Sequence, residues 1–134
     1  MAALSPDEIA IQTETDIVLV RQAVRARVVA LGFGLVDQTK TITAASELAR
    51  NTLIYGGGGI ARFETLQAGP RRGLRVTFDD SGPGIADIEL ALKDGYTTGH
   101  GLGLGLSGAR RLVNDFAIES RVGEGTRVTI TKWK

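Results

Sequence analysis

The sequence predicts a two-layer α/β sandwich, with a mixed and mainly antiparallel sheet carrying helices on one face. Three observations predict it. Hydrophobic periodicity alternates between the two-residue repeat of strands and the three-to-four-residue repeat of helices, in the order β-α-α-β-β, a polar gap, then α-β-β. The last two strand-like runs are joined by a turn too short for anything but antiparallel pairing. The 134 residues form one ordinary domain, without internal repeat, linker or low-complexity segment.

Each element has a local reason. Residues 7–13 alternate apolar and polar side chains, as a half-buried strand does. In residues 15–31, Ile17, Val20, Val24, Val28 and Leu31 fall on one helical face, and Gly32 and Gly34 stop the helix. Asp37 is positioned to cap a second helix that runs to about Tyr55, with a stripe of Ile42, Ala45, Leu48 or Ala49, and Thr52. Four consecutive glycines, Gly56 to Gly59, end it. Residues 60–67 and 73–79 read as a hairpin turning through Ala68-Gly69-Pro70-Arg71-Arg72. Residues 87–101 are polar and glycine-spotted, with a short helical stretch near Ile88–Leu92. Residues 104–115 read as helix, and 117–122 and 126–133 as strands around Gly123-Glu124-Gly125.

Composition narrows the function. A formal net charge of +1 gives no field to attract nucleic acid or an acidic membrane. Cysteine is absent, which removes disulfides, thiolate catalysis and Cys-built zinc sites, and fits a cytoplasmic location. No signal peptide and no run of about 18 apolar residues is present. The unusual number is 18 glycines, and they are clustered.

Four segments can carry chemistry. Glu47 and Asn51 stand one helical turn apart on one face. A carboxylate and an amide so placed can hold a hydroxyl and a hydrated Mg²⁺, but taken alone they read as two solvated polar residues, because such pairs are common. In Asp80-Ser81-Gly82-Pro83-Gly84-Ile85, alternate glycines allow a sharp turn and a flat ligand's approach, and an Asp after a buried strand can accept from an exocyclic amine; a plain β-turn uses the same residues. The run from Gly99 to Gly108 alternates Gly with Leu before a helix, as a phosphate cradle would, whereas a flexible linker would alternate Gly with Ser. Its Gly103-Leu104-Gly105-Leu106-Ser107-Gly108 matches a dinucleotide fingerprint but follows no strand, so it carries no weight. Gly123-Glu124-Gly125-Thr126 reads as a hairpin turn with a spare hydroxyl. There is no P-loop and no eukaryotic-type kinase signature. His100, the only histidine, and the arginines of residues 21–27 read as solvated residues.

Taken in this order and spacing, the segments resemble the GHKL (Bergerat-fold) ATPase superfamily over roughly residues 43–130. Glu47 to Asn51 resembles its N box, Asp80 to Ile85 its G1 box, Gly101 to Gly105 its G2 box, and Gly125-Thr126 its closing Gly-Thr. The resemblance implies the Bergerat fold with ATP under a mobile lid. The short chain, with Glu14-Thr15-Asp16-Ile17-Val18, Leu31-Gly32-Phe33 and Ser46-Glu47-Leu48-Ala49-Arg50-Asn51, looks most like free-standing serine/threonine switch kinases of the RsbT and anti-sigma-factor type.

The implied roles are as follows. Glu47 is the general base, and Asn51 holds Mg²⁺. Asp80 binds the adenine amine with Thr126 in support. Gly82, Gly84 and Ile85 admit base and sugar. Gly101, Leu102, Gly103, Leu104 and Gly105 wrap the phosphates, and Arg50 touches phosphate or partner. Lys93 is the single cation of the short lid, and Arg21 contacts a protein partner. The implied substrate is a Ser or Thr on a small STAS-domain protein (RsbS- or RsbR-like), in bacterial stress or sigma-factor partner switching. The competing reading is a weakly catalytic or non-catalytic switch that sequesters a sigma factor or activates a phosphatase regulatory domain.

Overall fold

The computed structural model describes residues 7–92 and 105–134. Its elements run β1 (Glu8–Ile11), α1 (Glu14–Ala30), α2 (Leu35–Ile54), β2 (Gly59–Ala68), β3 (Arg71–Asp80), α3 (Ile88–Ala91), α4 (Gly105–Arg111), β4 (Asp115–Arg121) and β5 (Gly125–Trp133). The strands form one sheet in the order β1-β2-β3-β5-β4, and every neighbouring pair is antiparallel. This is the expected two-layer sandwich, with α1 and α2 packed on each other and on the sheet.

Period-two alternation sorts the sheet into two faces. Ala61, Phe63, Leu74, Val76, Phe78, Val128 and Ile130 point inward and are buried. They meet Ile17, Val20, Val24 and Val28 of α1 and Ala44, Ala45, Leu48 and Ala49 of α2 in one core. The opposite face is charged. Arg62 pairs with Glu8 at 2.9 Å and with Asp79 at 3.4 Å, and Arg127 reaches Asp79 at 2.9 Å. The Glu8 carboxylate first, and Asp79 second, hold the Arg62 guanidinium charged more firmly than usual.

The helix boundaries show which local signals won. α1 opens with Asp16 accepting from the backbone amides of Gln12 and Thr13 at 2.8 and 2.9 Å. It closes where Gly32 takes φ +82. The amide of Phe33 there donates to Val28 O at 3.0 Å, and that of Gly32 to Val29 O at 3.0 Å. This is a Schellman closure, and buried Phe33 packs back on the core.

Three expectations need correction. The N-cap of α2 is Gly34, not Asp37, and Asp37 sits in the first turn. There its carboxylate complements the helix dipole and pairs with Lys132 at 3.5 Å. The helix expected over 104–115 ends at Arg111, because the Asn114 amide is drawn to Thr131 O at 3.1 Å and Asp115 already pairs with Thr131. The β2–β3 turn is only Gly69-Pro70, since Arg71 and Arg72 continue the ladder opposite Ala68 and Gln67.

Candidate nucleotide site

The site is assembled where α2 ends and β3 ends. Glu47 and Asn51 lie one turn apart on α2, both half-buried beside the buried stripe of Ala44, Leu48 and Thr52. Asn51 O accepts from Tyr55 N at 2.9 Å and Gly56 N at 3.2 Å, and Thr52 O accepts from Gly58 N at 2.9 Å. These bonds turn the chain at once into the glycine run.

Close packing then carries that turn onto β3. A Cβ on Gly56 would lie 2.5 Å from Asp80 Cγ, and one on Gly82 would lie 2.7 Å from Gly56 O. Only glycine permits both approaches. The turn that follows Asn51 is thereby pressed against Asp80, and the end of α2 converges with the end of β3. A cavity of about 440 Å³ opens along the same turn, lined by Gly56 to Gly59, Ile60, Arg62, Asp79, Asp80 and Ser81.

Asp80 projects from the inward-facing row of β3. Its Oδ1 accepts from Gly82 N at 2.9 Å and from Thr126 N at 3.2 Å. Those two bonds fix the carboxylate's rotation, and Oδ2 carries no hydrogen bond among the described residues. Oδ2 lies against Gly56, 2.6 Å from where a Cβ would stand there, and a carboxylate oxygen without a hydrogen bond keeps the capacity to accept from a ligand amine.

The loops beyond Asp80 are cross-braced. Ile85 N donates to Ser120 Oγ at 2.7 Å, and that oxygen also stands 2.7 Å from Thr126 Oγ1 and 3.1 Å from Gly125 O. Gly123 N donates to Pro83 O at 2.8 Å. Gly84 takes φ +77, and its α-carbon faces the backbone carbonyl of Arg121 too closely for a side chain.

The sequence-predicted residues fare differently. Asp80, Gly82, Gly84, Ile85 and Thr126 are joined through the bonds and close packing above, and Asn51 heads the turn packed against Asp80; Glu47 lies one helical turn back on α2, and neither it nor Asn51 lines the cavity. Arg50 points elsewhere: it is exposed, and its guanidinium stands 4.0 Å from Glu14 on α1. Gly105 opens α4 with φ +53. Lys93, Gly101, Leu102, Gly103 and Leu104 lie outside the described residues, and so does most of the lid. Arg21 is exposed on α1. Two participants escaped sequence reasoning. Gly56 was legible only as a helix breaker, because its contact with Asp80 is tertiary. Ser120 was within reach: it is the next inward position of β4 after Phe116 and Ile118, opposite Thr126.

Among the described residues no group of three or more His, Cys, Asp or Glu could hold a metal. No helix among the described residues is long and apolar enough to cross a membrane.

The fold and this site define an ATP-binding domain. Residues 36–134 match the family of histidine kinase-, DNA gyrase B-, and HSP90-like ATPases, and the chain belongs to that family. Among curated proteins it is similar to the serine/threonine-protein kinase RsbT of Bacillus subtilis, 46% identical over 123 residues and covering 92% of each chain. It is also similar to the anti-sigma F factor of Clostridium kluyveri, 31% identical over 118 residues, covering 84% of this chain and 82% of that one. Its enzyme class is thus that of a GHKL-type serine/threonine-protein kinase. Among solved structures, the RsbU and RsbW domains of a Mycobacterium tuberculosis protein superpose with a TM-score of 0.63 at 22% identity, covering 97% of this chain and 33% of that one. That likeness shows the fold.

Proposed function

We propose that this kinase transfers the γ-phosphoryl group of Mg-ATP to a Ser or Thr of a small STAS-domain protein, within a partner-switching circuit of the stress or sigma-factor kind, in the cytoplasm. The observation that carries the nucleotide half is the Asp80 carboxylate, braced at Oδ1 by two backbone amides and without a hydrogen bond at Oδ2 among the described residues, beside the turn that follows Asn51. The protein-substrate half is supported by the likeness to RsbT and to anti-sigma F factors.

In this reading Asp80 Oδ2 accepts from the adenine amine, while Gly82, Gly84 and Ile85 shape the wall for base and sugar. Asn51 would hold Mg²⁺, whose charge would offset that of the phosphates. Residues 101–105 would wrap the phosphates, and Lys93 would reach them from the lid. Glu47 orients the substrate hydroxyl. As the bond from that oxygen to phosphorus forms and the bond to the β-phosphate oxygen breaks, Glu47 accepts the hydroxyl proton and ADP leaves. Arg50, paired with Glu14 on the exposed side of α2, is better placed for a protein partner than for phosphate. Arg21 is assigned to the same partner.

The test is phosphoryl transfer from labelled ATP, with magnesium, to the cognate STAS protein. Label on a Ser or Thr of that protein supports the reading, and unlabelled protein in a complex that does form removes it. A second reading, a switch that sequesters a sigma factor or activates a phosphatase regulator, is favoured by the anti-sigma likeness. It differs in that partner control would survive Glu47→Ala.

A further inference from the structure

Ser120 Oγ makes three short contacts, and the supply of protons fixes the direction of each. The amide of Ile85 can only donate, so Oγ accepts there at 2.7 Å. The carbonyl of Gly125 can only accept, so the single Ser120 hydroxyl proton goes to that oxygen, at 3.1 Å. The contact with Thr126 Oγ1, at 2.7 Å, is then left for the Thr126 proton. No other placement of the two hydroxyl protons satisfies all three contacts. Thr126 therefore points its proton at Ser120, and its hydroxyl has no second partner among the described residues. Toward any ligand it offers lone pairs alone.

This polarity matters because of where Thr126 stands. It is the register partner of Asp80, and its amide donates to Asp80 Oδ1 at 3.2 Å. Asp80 Oδ2 is a second acceptor, without a hydrogen bond among the described residues. An unrestrained threonine hydroxyl turns to suit its neighbour: it donates to a ligand oxygen or accepts from a ligand amine. Held by Ser120, it keeps only the second capacity. Two paired positions of β3 and β5 then present acceptors alone. That pattern suits an exocyclic amine and leaves a keto oxygen facing lone pairs. A polar group left unpaired or opposed is how a site rejects a ligand of nearly the same shape.

We infer that Ser120 is a positioning residue for base selection: by taking the Thr126 proton it leaves Asp80 and Thr126 as acceptors only, and so directs the site to amino rather than keto purines. The inference rests on the reading of Asp80 as the acceptor for the purine. Its test is calorimetry, at millimolar magnesium, with ATP and with inosine triphosphate, which carries a keto oxygen where ATP carries the amine. Wild type is expected to prefer ATP. Ser120→Ala frees the Thr126 proton to turn to the keto oxygen, so the preference should fall about tenfold, the scale of one hydrogen bond. Ser120→Cys, close in shape but a weak donor and acceptor, should move it the same way, and Ser120→Thr, which keeps the hydroxyl, should retain it. In a Thr126→Val background Ser120→Ala should leave the preference where it stands, because the hydroxyl it acts through is gone. A serine that merely braces the Ile85 loop would weaken both nucleotides alike at an unchanged preference, and that result overturns the inference. So does a fall of equal size in the Thr126→Val background, or a loss of preference in Ser120→Thr. Failure of wild type to bind ATP removes the nucleotide reading and this inference with it, whereas ATP binding with an unmoved preference removes this inference alone.

Discussion

Asp80 Oδ1 accepts the backbone N–H of Thr126 at 3.2 Å, across the register pair that joins the end of β3 to the start of β5. The bond ties the recognition carboxylate to the sheet rather than to its own flexible loop. The residue before Thr126 makes the approach possible: Gly125 takes φ +115, and its α-carbon lies against the backbone carbonyl of Asp80 too closely for any side chain.

Gly125→Ala should therefore strain the backbone and force β5 off Asp80. The expected cost is about 1–3 kcal/mol for the left-handed conformation, with more for the clash. Gly123→Ala separates the two effects, since Gly123 takes φ +81 with open space around it. Thermal melts should show Gly125→Ala several degrees below Gly123→Ala, with weakened nucleotide binding in the first variant alone. Equal melting temperatures would contradict the packing argument.

Glu47→Gln keeps the side chain's shape and removes its capacity to take a proton. Nucleotide affinity should stay within about twofold, while transfer to the protein substrate falls roughly 10²- to 10⁴-fold, the scale of general-base catalysis. Single-turnover transfer assays measure the second quantity and calorimetry the first. A variant that transfers at the wild-type rate would mean that Glu47 is not the base.

Asp16 links stability to pH. The backbone amide of Gln12 holds its carboxyl below the usual carboxylate value; burial opposes it, and the amide and hydroxyl of Thr13 add to the lowering. A depressed folded value means the contribution is complete above the unfolded pKa of about 3.9 and disappears as pH falls through the folded value. The group is largely solvated, so the effect is small and screened by salt. Denaturant melts of wild type and Asp16→Ala should differ at pH 7 and converge as pH drops below about 4. A gap that is the same at pH 7 and pH 3 would show that the carboxylate's charge is not what matters.

Much of the fold was legible because its signals are local. The end of α1 follows from Gly32, and the β4–β5 hairpin from Gly123-Glu124-Gly125, since each needs only a conformation that glycine supplies. The start of α2 was misplaced because its first turn carries exposed Leu35 and Val36, which do not look like a helix's outer face, while Asp37 looks like a cap. The candidate site residues were named from spacing and resemblance. Their bracing was not: Gly56 against Asp80, and Ser120 under Ile85, are contacts between segments far apart in sequence, whereas Ser120 beside Thr126 follows once the β4–β5 register is known.

The central claim is that Asp80 selects the adenine ring. Titration calorimetry of wild type and Asp80→Asn with ATP and with GTP, at millimolar magnesium, tests it most directly. Asparagine retains one oxygen for the Gly82 and Thr126 amides but replaces Oδ2 with a donor that opposes the adenine amine. The account predicts that wild type prefers ATP and that Asp80→Asn binds ATP at least tenfold more weakly, the worth of a hydrogen bond to a charged group, with an unchanged fold. ATP binding of equal strength in the two proteins, or none in the wild type, would contradict it.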